Sequence, residues 1–525
     1  MPGAIVHLPN GQNLTVSPVF GGLFFKSNDL SNHNSPFPPG WTIVLSSEAH
    51  HGDEENLDDN SAERGVNEDG VVPRKPHFHR YKKPTLHNDH LYISSISNPS
   101  SNDFKPATSP TRQIAMMLWA TLYWYFHQPE PELQVTNSVS KNTADAGKPK
   151  GEWRISIDRE GIFKGKVVLP KLERMGLIAT EESSVGVDQS ETSSEGWTNM
   201  FVSRRSFWQL DPRIYLFTLS PMSQSPFPSG SPYTSRPSSP VRGGDAQRDS
   251  QNEQVSQGLW SPTAPGPFHS ASHLPTYYPP PPAQYVFTNN VRHPLRPKPP
   301  RQGEVLYTRF IPSVGQYLSF RVASISNKPL RHRGPSSTKR ISQLSVSDSP
   351  ASNLVTLNPG MCDPEYLHKW MNDPRVNHFW GEAGPQEHQE EFLKSGLRSR
   401  HSFPVIGCWD GKPFGYFEIY WVKEDRLGRY LPRVGDYDRG LHCLVGENEF
   451  RGPHRVKIWL TALVHYCLLA DLRTESVMLE PRVDNEKLRR YLEDVGFYKE
   501  GEVSLPHKQS NLMRIGRDNF EGPAL

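Results

Sequence analysis

Apolar and polar positions are distributed differently in successive parts of this chain. Up to about residue 45 they alternate between turn signals, as in VHLPNGQNLTVSPVFGGLFF and WTIVLSS, a period of two that predicts short strands. The stretch SPTRQIAMMLWATLYWYFH, 109–127, has a Ser-Pro-Thr start and a long apolar face instead, and predicts a buried helix. Its aromatic residues Trp119, Tyr123 and Trp124 read as core rather than as a cofactor box. Strand and short-helix signals in GEWRISIDREGIFKGKVVLPKLERMGLIAT and TNMFVSRRSFWQL close an N-terminal α+β domain over 1–215.

Beyond about residue 354 the pattern is sharper. PEYLHKWMND and PQEHQEEFLKSGL have helical spacing, FPVIGCW and PFGYFEIYW are strands joined by a DGK turn, and GLHCLVG is a third strand. PHRVKIWLTALVHYCLLA has apolar residues three to four apart and predicts a long helix. ESVMLEP then reads as a strand, DNEKLRRYLEDVG as a helix with an Asp cap and a closing Gly, and GFYKEGEV and NLMRIGR as final strands. The fold class expected is α/β (α+β), with a mixed, mostly antiparallel sheet in the C-terminal domain and no evident internal repeat.

Composition changes this picture between the two domains. An apolar fraction of 35% and 50 prolines in 525 residues are too little and too many for a chain packed throughout. Residues 220–300 are rich in Pro, Ser and Gly and read as a disordered linker, a spacer rather than a docking site for an SH3 or WW module. The acidic stretch near 46–75 reads as mobile, and 331–353 as a flexible insertion within a 301–525 domain. With a net charge of +2 and dispersed Lys and Arg, no footprint for nucleic acid or an anionic membrane stands out. No secretory leader, no run approaching roughly 18 apolar residues and no C-terminal peroxisomal signal in GPAL are evident, so a cytoplasmic protein is expected. The four cysteines show no zinc or disulfide spacing, and no metal site is expected.

The candidate chemistry lies in DYDRGLHCLVGENEFRGPHRV. A strand that runs through a polar turn into a helix presents unpaired N–H groups and a dipole suited to phosphate. Arg451, His454 and Arg455 could add charge there, Gly452 close backbone approach and Pro453 a first helical turn. His442, on the strand before it, is either a proton-transfer residue or a satisfied core histidine sharing a face with Leu444. Cys443 points to the opposite face and is a poor nucleophile candidate.

WMNDPRVNHFWGEAG, GKPFGYFEIYWVKEDRLGRYL, DYDRGLHCLVGENEFRGPHRV, LEPRVDNEKLRRYLEDVGF and PHKQSNLM, in this order over about 354–520, resemble the hydroxamate-forming branch of GNAT acyltransferases. This branch includes the aerobactin, alcaligin and mycobactin enzymes and the fungal hydroxyornithine acyltransferases of siderophore biosynthesis. The resemblance implies a GNAT fold and acetyl-CoA as co-substrate, bound by Val445, Gly446 and the turn Arg451, Gly452, Pro453, His454, Arg455 and Val456. It implies acetylation of N5-hydroxyornithine to a hydroxamate, with His442 as base and Asp484 orienting it; by sequence Asp484 could equally be a helix cap. Asn377, Trp380, Tyr416, Glu418, Tyr420, His507 and Lys508 are candidates for the acceptor pocket, Glu418 toward the α-amino group and Lys508 toward the carboxylate. It also implies a functional link to an ornithine hydroxylase and a siderophore peptide synthetase. Anhydromevalonyl-CoA as donor, hydroxylysine as acceptor, and a non-catalytic scaffold are the alternatives.

Overall fold

The computed structural model describes residues 4–28, 37–48, 77–97, 110–137, 139–180, 200–210, 282–332, 334–337 and 360–525. The expected acidic stretch, apart from Ser46–Glu48 at the end of a strand, and most of the expected linker and insertion lie outside these. The chain divides into two compact units; the first takes most of the chain up to Leu210, and the second takes Leu8–Gly11 and everything from Pro280 to Leu525.

In the N-terminal unit, β1 (Ala4–His7), β2 (Asn13–Val19), β3 (Gly22–Ser27), β4 (Gly40–Glu48), β5 (Phe78–Arg80) and β6 (Asp89–Ser97) precede helix α1 (Pro110–Tyr125). They are followed by β7 (Arg154–Ile157), α2 (Val168–Arg174), β8 (Ala179–Thr180), β9 (Met200–Ser203) and α3 (Arg204–Trp208). The strands form one sheet in the order β1-β2-β3-β4-β6-β7-β9-β8, with β5 beside β4. Helix α1 is buried as its composition requires, Trp119, Tyr123 and Trp124 included, and Trp41 Nε1 donates to its Thr121 hydroxyl at 3.1 Å.

The C-terminal unit opens with a hairpin, β10 (Tyr285–Thr288) and β11 (Val291–Pro294), inside the stretch expected to be linker. The turn residues Asn289 and Asn290 both have positive φ, the geometry of a tight two-residue hairpin. Then come β12 (Val305–Ile311), β13 (Gln316–Val322), α4 (Asp363–Met371), α5 (Pro374–Trp380), α6 (Gln386–Arg398), β14 (Ser402–Trp409), β15 (Lys412–Trp421) and β16 (Arg439–Val445). Helix α7 (Pro453–Ala470), β17 (Ser476–Leu479), α8 (Glu486–Asp494), β18 (Tyr498–Leu505) and β19 (Lys508–Gly516) complete it. The sheet order is β12-β13-β14-β15-β16-β17-β19-β18, antiparallel except for the β16–β17 pair. Among the described residues no helix is long and apolar enough to cross a membrane.

The period of two sorts the central strands onto two faces. Phe417, Ile419 and Leu441 pack with Trp459, Leu463 and Tyr466 of α7. On the other face Tyr416 and Leu444 join Leu367, Trp370 and Leu393 from α4 and α6, whereas Tyr420 joins a separate cluster with Met478, Leu505 and Leu512. His442 lies on this second face, between Gly440 and Leu444 along its strand and opposite Glu418 of β15.

No repeat is legible in the residues, yet the two sheets have the same strand order with the same sense at every neighbouring pair, β6–β7 matching β16–β17 as the single parallel pair of each main sheet. In both, a buried helix, α1 or α7, lies between the two parallel strands in sequence. Helices α4 to α6 have no counterpart, since β2 and β3 are joined by a short turn at Phe20 and Gly21.

Candidate active site

Strands β15 and β16 stay in register from Gly415–Val445 to Trp421–Arg439, but β16 and β17 share only Arg439–Val477 and Gly440–Met478. Past Gly440 the parallel strands separate. The edge of β16 from Leu441 to Val445 has no strand beside it among the described residues, so its backbone groups can meet an amide-bearing ligand laid in the gap. His442 lies at this opening.

Both nitrogens of the His442 ring are held. Nδ1 is 2.7 Å from Glu418 Oε2, its cross-strand neighbour, and Nε2 is 2.7 Å from Glu480 Oε1, just past the end of β17. Each carboxylate is steadied by a phenol: the Tyr416 hydroxyl donates to Glu418 at 2.9 Å and the Tyr420 hydroxyl to Glu480 at 3.0 Å. Lys508 Nζ donates to the Glu480 carbonyl at 3.0 Å and stands 3.6 Å from its carboxylate. Burial alone would pull the pKa of His442 down; the charge of Glu480 and the hydrogen bonds to both carboxylates outweigh it and raise it to about 10. Burial would raise Glu480, but the charge and hydrogen bond of His442, with Lys508 and Tyr420, hold it down at about 2. At neutral pH the ring is therefore an imidazolium donating both N–H groups, with two carboxylates around one cation.

Aromatic rings wall this centre. Tyr420 lies 4.8 Å from the imidazole, and Trp380, at the end of α5, stands edge-on to His442 at 6.3 Å and to Tyr416 at 5.8 Å. A Cβ on Gly440 would come within 2.1 Å of the Tyr420 ring, so only glycine lets the phenol reach Glu480 across the strand.

Trp380, Tyr416, Glu418, Tyr420, His442 and Lys508 are thus gathered as the sequence reading expected, but five other assignments change. Asp484 does not meet His442; its carboxylate takes the Arg482 guanidinium, and the helix cap is Asn485, whose Oδ1 accepts from Leu488 N at 3.2 Å. The chain turns outward after Pro481, and the carboxylate beside the ring is that of Glu480. Asn377 spends its side-chain oxygen on Ala383 N–H at 3.0 Å, steadying the turn after α5. Arg455 lies over the rings of Trp409 and Phe450 and donates to Gln316 at 3.1 Å, so it braces the turn from within. The Gly446 N–H donates to the Phe414 carbonyl at 3.0 Å, and a Cβ there would strike the Trp370 indole at 2.1 Å. His507 faces outward, 3.5 Å from an Arg426 nitrogen.

The turn before α7 keeps its expected form. Gly452 has φ +129°, Pro453 opens the helix, and Arg451 and His454 are exposed. The Arg455 and Val456 amides already close on the Gly452 carbonyl, at 3.1 and 3.0 Å, and Val456 packs its side chain into the core, so an anion would be met nearer Arg451 and His454.

Residues 361–505 match the family model of the acetyltransferase (GNAT) domain. Over 96% of this chain, and 99% of its own length, the N5-hydroxyornithine acetylase sidL of Beauveria bassiana is 47% identical. The chain belongs to the N5-hydroxyornithine acetylase family. Two further relatives of this acetylase match over less of the chain. The N(6)-hydroxylysine O-acetyltransferase of Escherichia coli is 40% identical over 42% of the chain and 59% of its own length. The N(5)-hydroxyornithine:cis-anhydromevalonyl coenzyme A-N(5)-transacylase SIDF of Beauveria bassiana is 38% identical over 43% of each. This family member is an acyltransferase.

Glu480 is the member of this set that sequence reasoning missed. Its signal was the apolar strand SVML ending on a glutamate, but Asp484, nearer the next helix, drew the assignment.

Proposed function

We propose that the protein transfers the acetyl group of acetyl-CoA to N5 of N5-hydroxyornithine, forming a hydroxamate unit of a hydroxamate siderophore. The observation that carries the reading is His442 clasped between Glu418 and Glu480 where β16 and β17 part. An acyl-CoA supplies an acyl carbon activated as a thioester. Its amide-bearing arm fits the free edge of β16, and its phosphates fit the turn at Arg451, Gly452 and His454.

A hydroxylamine nitrogen is less basic than an alkyl amine because the adjacent oxygen withdraws electron density, so it reaches the site unprotonated and attacks the acyl carbon directly. One N–H proton must then leave. His442 has no free lone pair while both nitrogens donate, and Glu480, 5% exposed and held anionic, is a poor acceptor. Glu418, 23% exposed and next to Tyr416, takes the proton and returns it to the departing sulfur. His442 and Glu480 keep Glu418 oriented and spread the change in charge over three groups. Trp380 and Tyr420 flank the acceptor chain and keep water from the acyl carbon.

Domain 301–525 is the catalytic part in this reading, in a cytosolic enzyme that an ornithine N-hydroxylase would supply and a siderophore peptide synthetase would follow. The test is thiol release from acetyl-CoA with N5-hydroxyornithine, ornithine and N6-hydroxylysine in parallel, and anhydromevalonyl-CoA as rival donor. Rapid release with acetyl-CoA and N5-hydroxyornithine is expected. Release only with the bulkier donor overturns the choice of acyl group, and none with any pair overturns the function.

A further inference from the structure

An acceptor with an amino-acid head needs an anion-binding group a few methylenes from the reacting nitrogen, and the basic residues near His442 differ in whether they are free to serve. Lys508 is committed to Glu480, by its carbonyl and its carboxylate. Arg482 is committed to Asp484 and to the His378 carbonyl. Arg426, on the connection between β15 and β16, is exposed and meets no carboxylate among the described residues. Its neighbour Asp425 is itself engaged, by His401 Nε2 at 3.1 Å and Leu427 N–H at 2.9 Å. Among the described residues the Arg426 guanidinium reaches only His507 Nε2, at 3.5 Å, and His507 precedes Lys508 at the start of β19.

A line of contacts therefore leads outward from the reacting centre: His442, Glu480, Lys508, His507, Arg426. The inner cations are neutralised and the outermost is not. We infer that Arg426, seated against His507, is the residue that binds the α-carboxylate of the acceptor and so selects an amino acid over the corresponding amine. A guanidinium is suited to this because it offers a planar pair of donors to a carboxylate. His507 lends it a neutral acceptor: burial, and next the charges of Arg426 and Lys508, lower the pKa of His507, so it remains uncharged beside the arginine at neutral pH.

The inference rests on the acceptor reading above, and its test separates the two. Acetyl transfer would be measured with N5-hydroxyornithine and with N-hydroxy-1,4-diaminobutane, which carries the same hydroxylamine and no carboxylate, using the full chain and its Arg426→Ala and Arg426→Lys variants. In Arg426→Ala, KM for N5-hydroxyornithine should rise about tenfold or more with kcat little changed, while transfer to the diamine stays as in the unaltered protein. Arg426→Lys should recover part of the loss. Equal loss with both acceptors would make Arg426 a structural residue, and no loss with either would place the carboxylate elsewhere; each result overturns the inference while leaving the acetylation reading intact. Transfer to neither acceptor by the unaltered protein overturns both.

Discussion

Glu480 Oε1 stands 2.7 Å from His442 Nε2, on a strand end that the backbone ladder no longer connects to the histidine's own strand. The two strands part just before His442, so a side-chain bond spans the opening between them, where the proposed function lays the acyl donor. The same bond, with its counterpart to Glu418, fixes the charge of the site.

The carboxylate in contact with His442 is Glu480 and not Asp484, and the proposed mechanism predicts that the kinetics follow this contact. Glu480→Gln removes the anion that holds the imidazolium and leaves Lys508 only the backbone carbonyl at 480, and should lower kcat by about two to three orders of magnitude. Asp484→Asn, which touches only the exposed pair with Arg482, should cost less than about tenfold. Steady-state kinetics of the two variants side by side would decide it; a larger loss in Asp484→Asn would restore the sequence-based assignment.

A second prediction concerns pH. His442 is raised from an ordinary 6.5 to about 10, so between these values the folded protein holds one proton that the unfolded chain has released. The stability this group contributes is complete below about 6.5 and is lost as pH rises through about 10. Glu480 has the opposite sense: its contribution is present above its ordinary 4.5 and lost as pH falls toward 2. Nitrogen NMR of histidine-labelled protein, with His442→Gln to identify the signal, should show a ring doubly protonated throughout the neutral range. A titration near 6.5 would mean that His442 has a free nitrogen and acts as the direct base.

The fold was legible where periodicity is local. The β14–β15–β16 meander, α7 and α8 follow from spacing alone, and α1 follows from its long apolar run. The β10–β11 hairpin was missed because the surrounding prolines outweighed its Asn-Asn turn. His442 could be found because its strand leads into the turn at Arg451. Its true partners could not, since the Glu418–His442 pair depends on the β15–β16 register and the Glu480 bond on where two parallel strands diverge. Neither is a distance along the chain. The matching strand order of the two units was hidden for the same reason: topology is repeated while the helices and the reactive residues are not.

A third prediction tests how α5 is held. Arg482 donates to the His378 carbonyl at 2.7 Å, and its guanidinium lies 5.3 Å from the centre of the Phe379 ring, while Trp380 follows directly and faces His442. Arg482→Ala should release this end of α5 and raise KM for the hydroxylamine severalfold, leaving KM for acetyl-CoA unchanged. An equal rise in both constants would show that Arg482 supports the whole unit rather than the acceptor wall.

Gly440 supplies a fourth, through packing. A methyl group there would overlap the Tyr420 ring at 2.1 Å and force the phenol away from Glu480. Gly440→Ala should cost about 1–3 kcal/mol of stability, as overpacked sites do, and lower kcat as well. Thermal unfolding gives the first quantity. Tyr420→Phe, which keeps the ring and its packing and deletes only the hydroxyl that meets Glu480, should lower kcat without a comparable loss in Tm.

The last prediction concerns the N-terminal unit. Its sheet repeats the order of the catalytic one, and its parallel strands likewise part, β6 and β7 pairing only through Asp89, His90 and Leu91. Two residues past the last paired position stands Ile93, opposite Ile43, where the catalytic sheet has His442 opposite Glu418. Both isoleucines are fully buried, so the reactive pair is replaced by core. The edge that acyl-CoA would need is taken as well: Asp158 N–H donates to the Leu91 carbonyl at 2.9 Å, and a Cβ on Gly161 would lie 2.2 Å from the Ile93 carbonyl, so the chain after β7 rests directly on β6. A gap already filled by backbone has no free amides to offer a ligand. Calorimetric titration of the whole protein with acetyl-CoA should accordingly give one site per chain, unchanged in His442→Gln, which retains the binding edge. Two sites per chain would show that the N-terminal sheet opens and binds a second acyl-CoA.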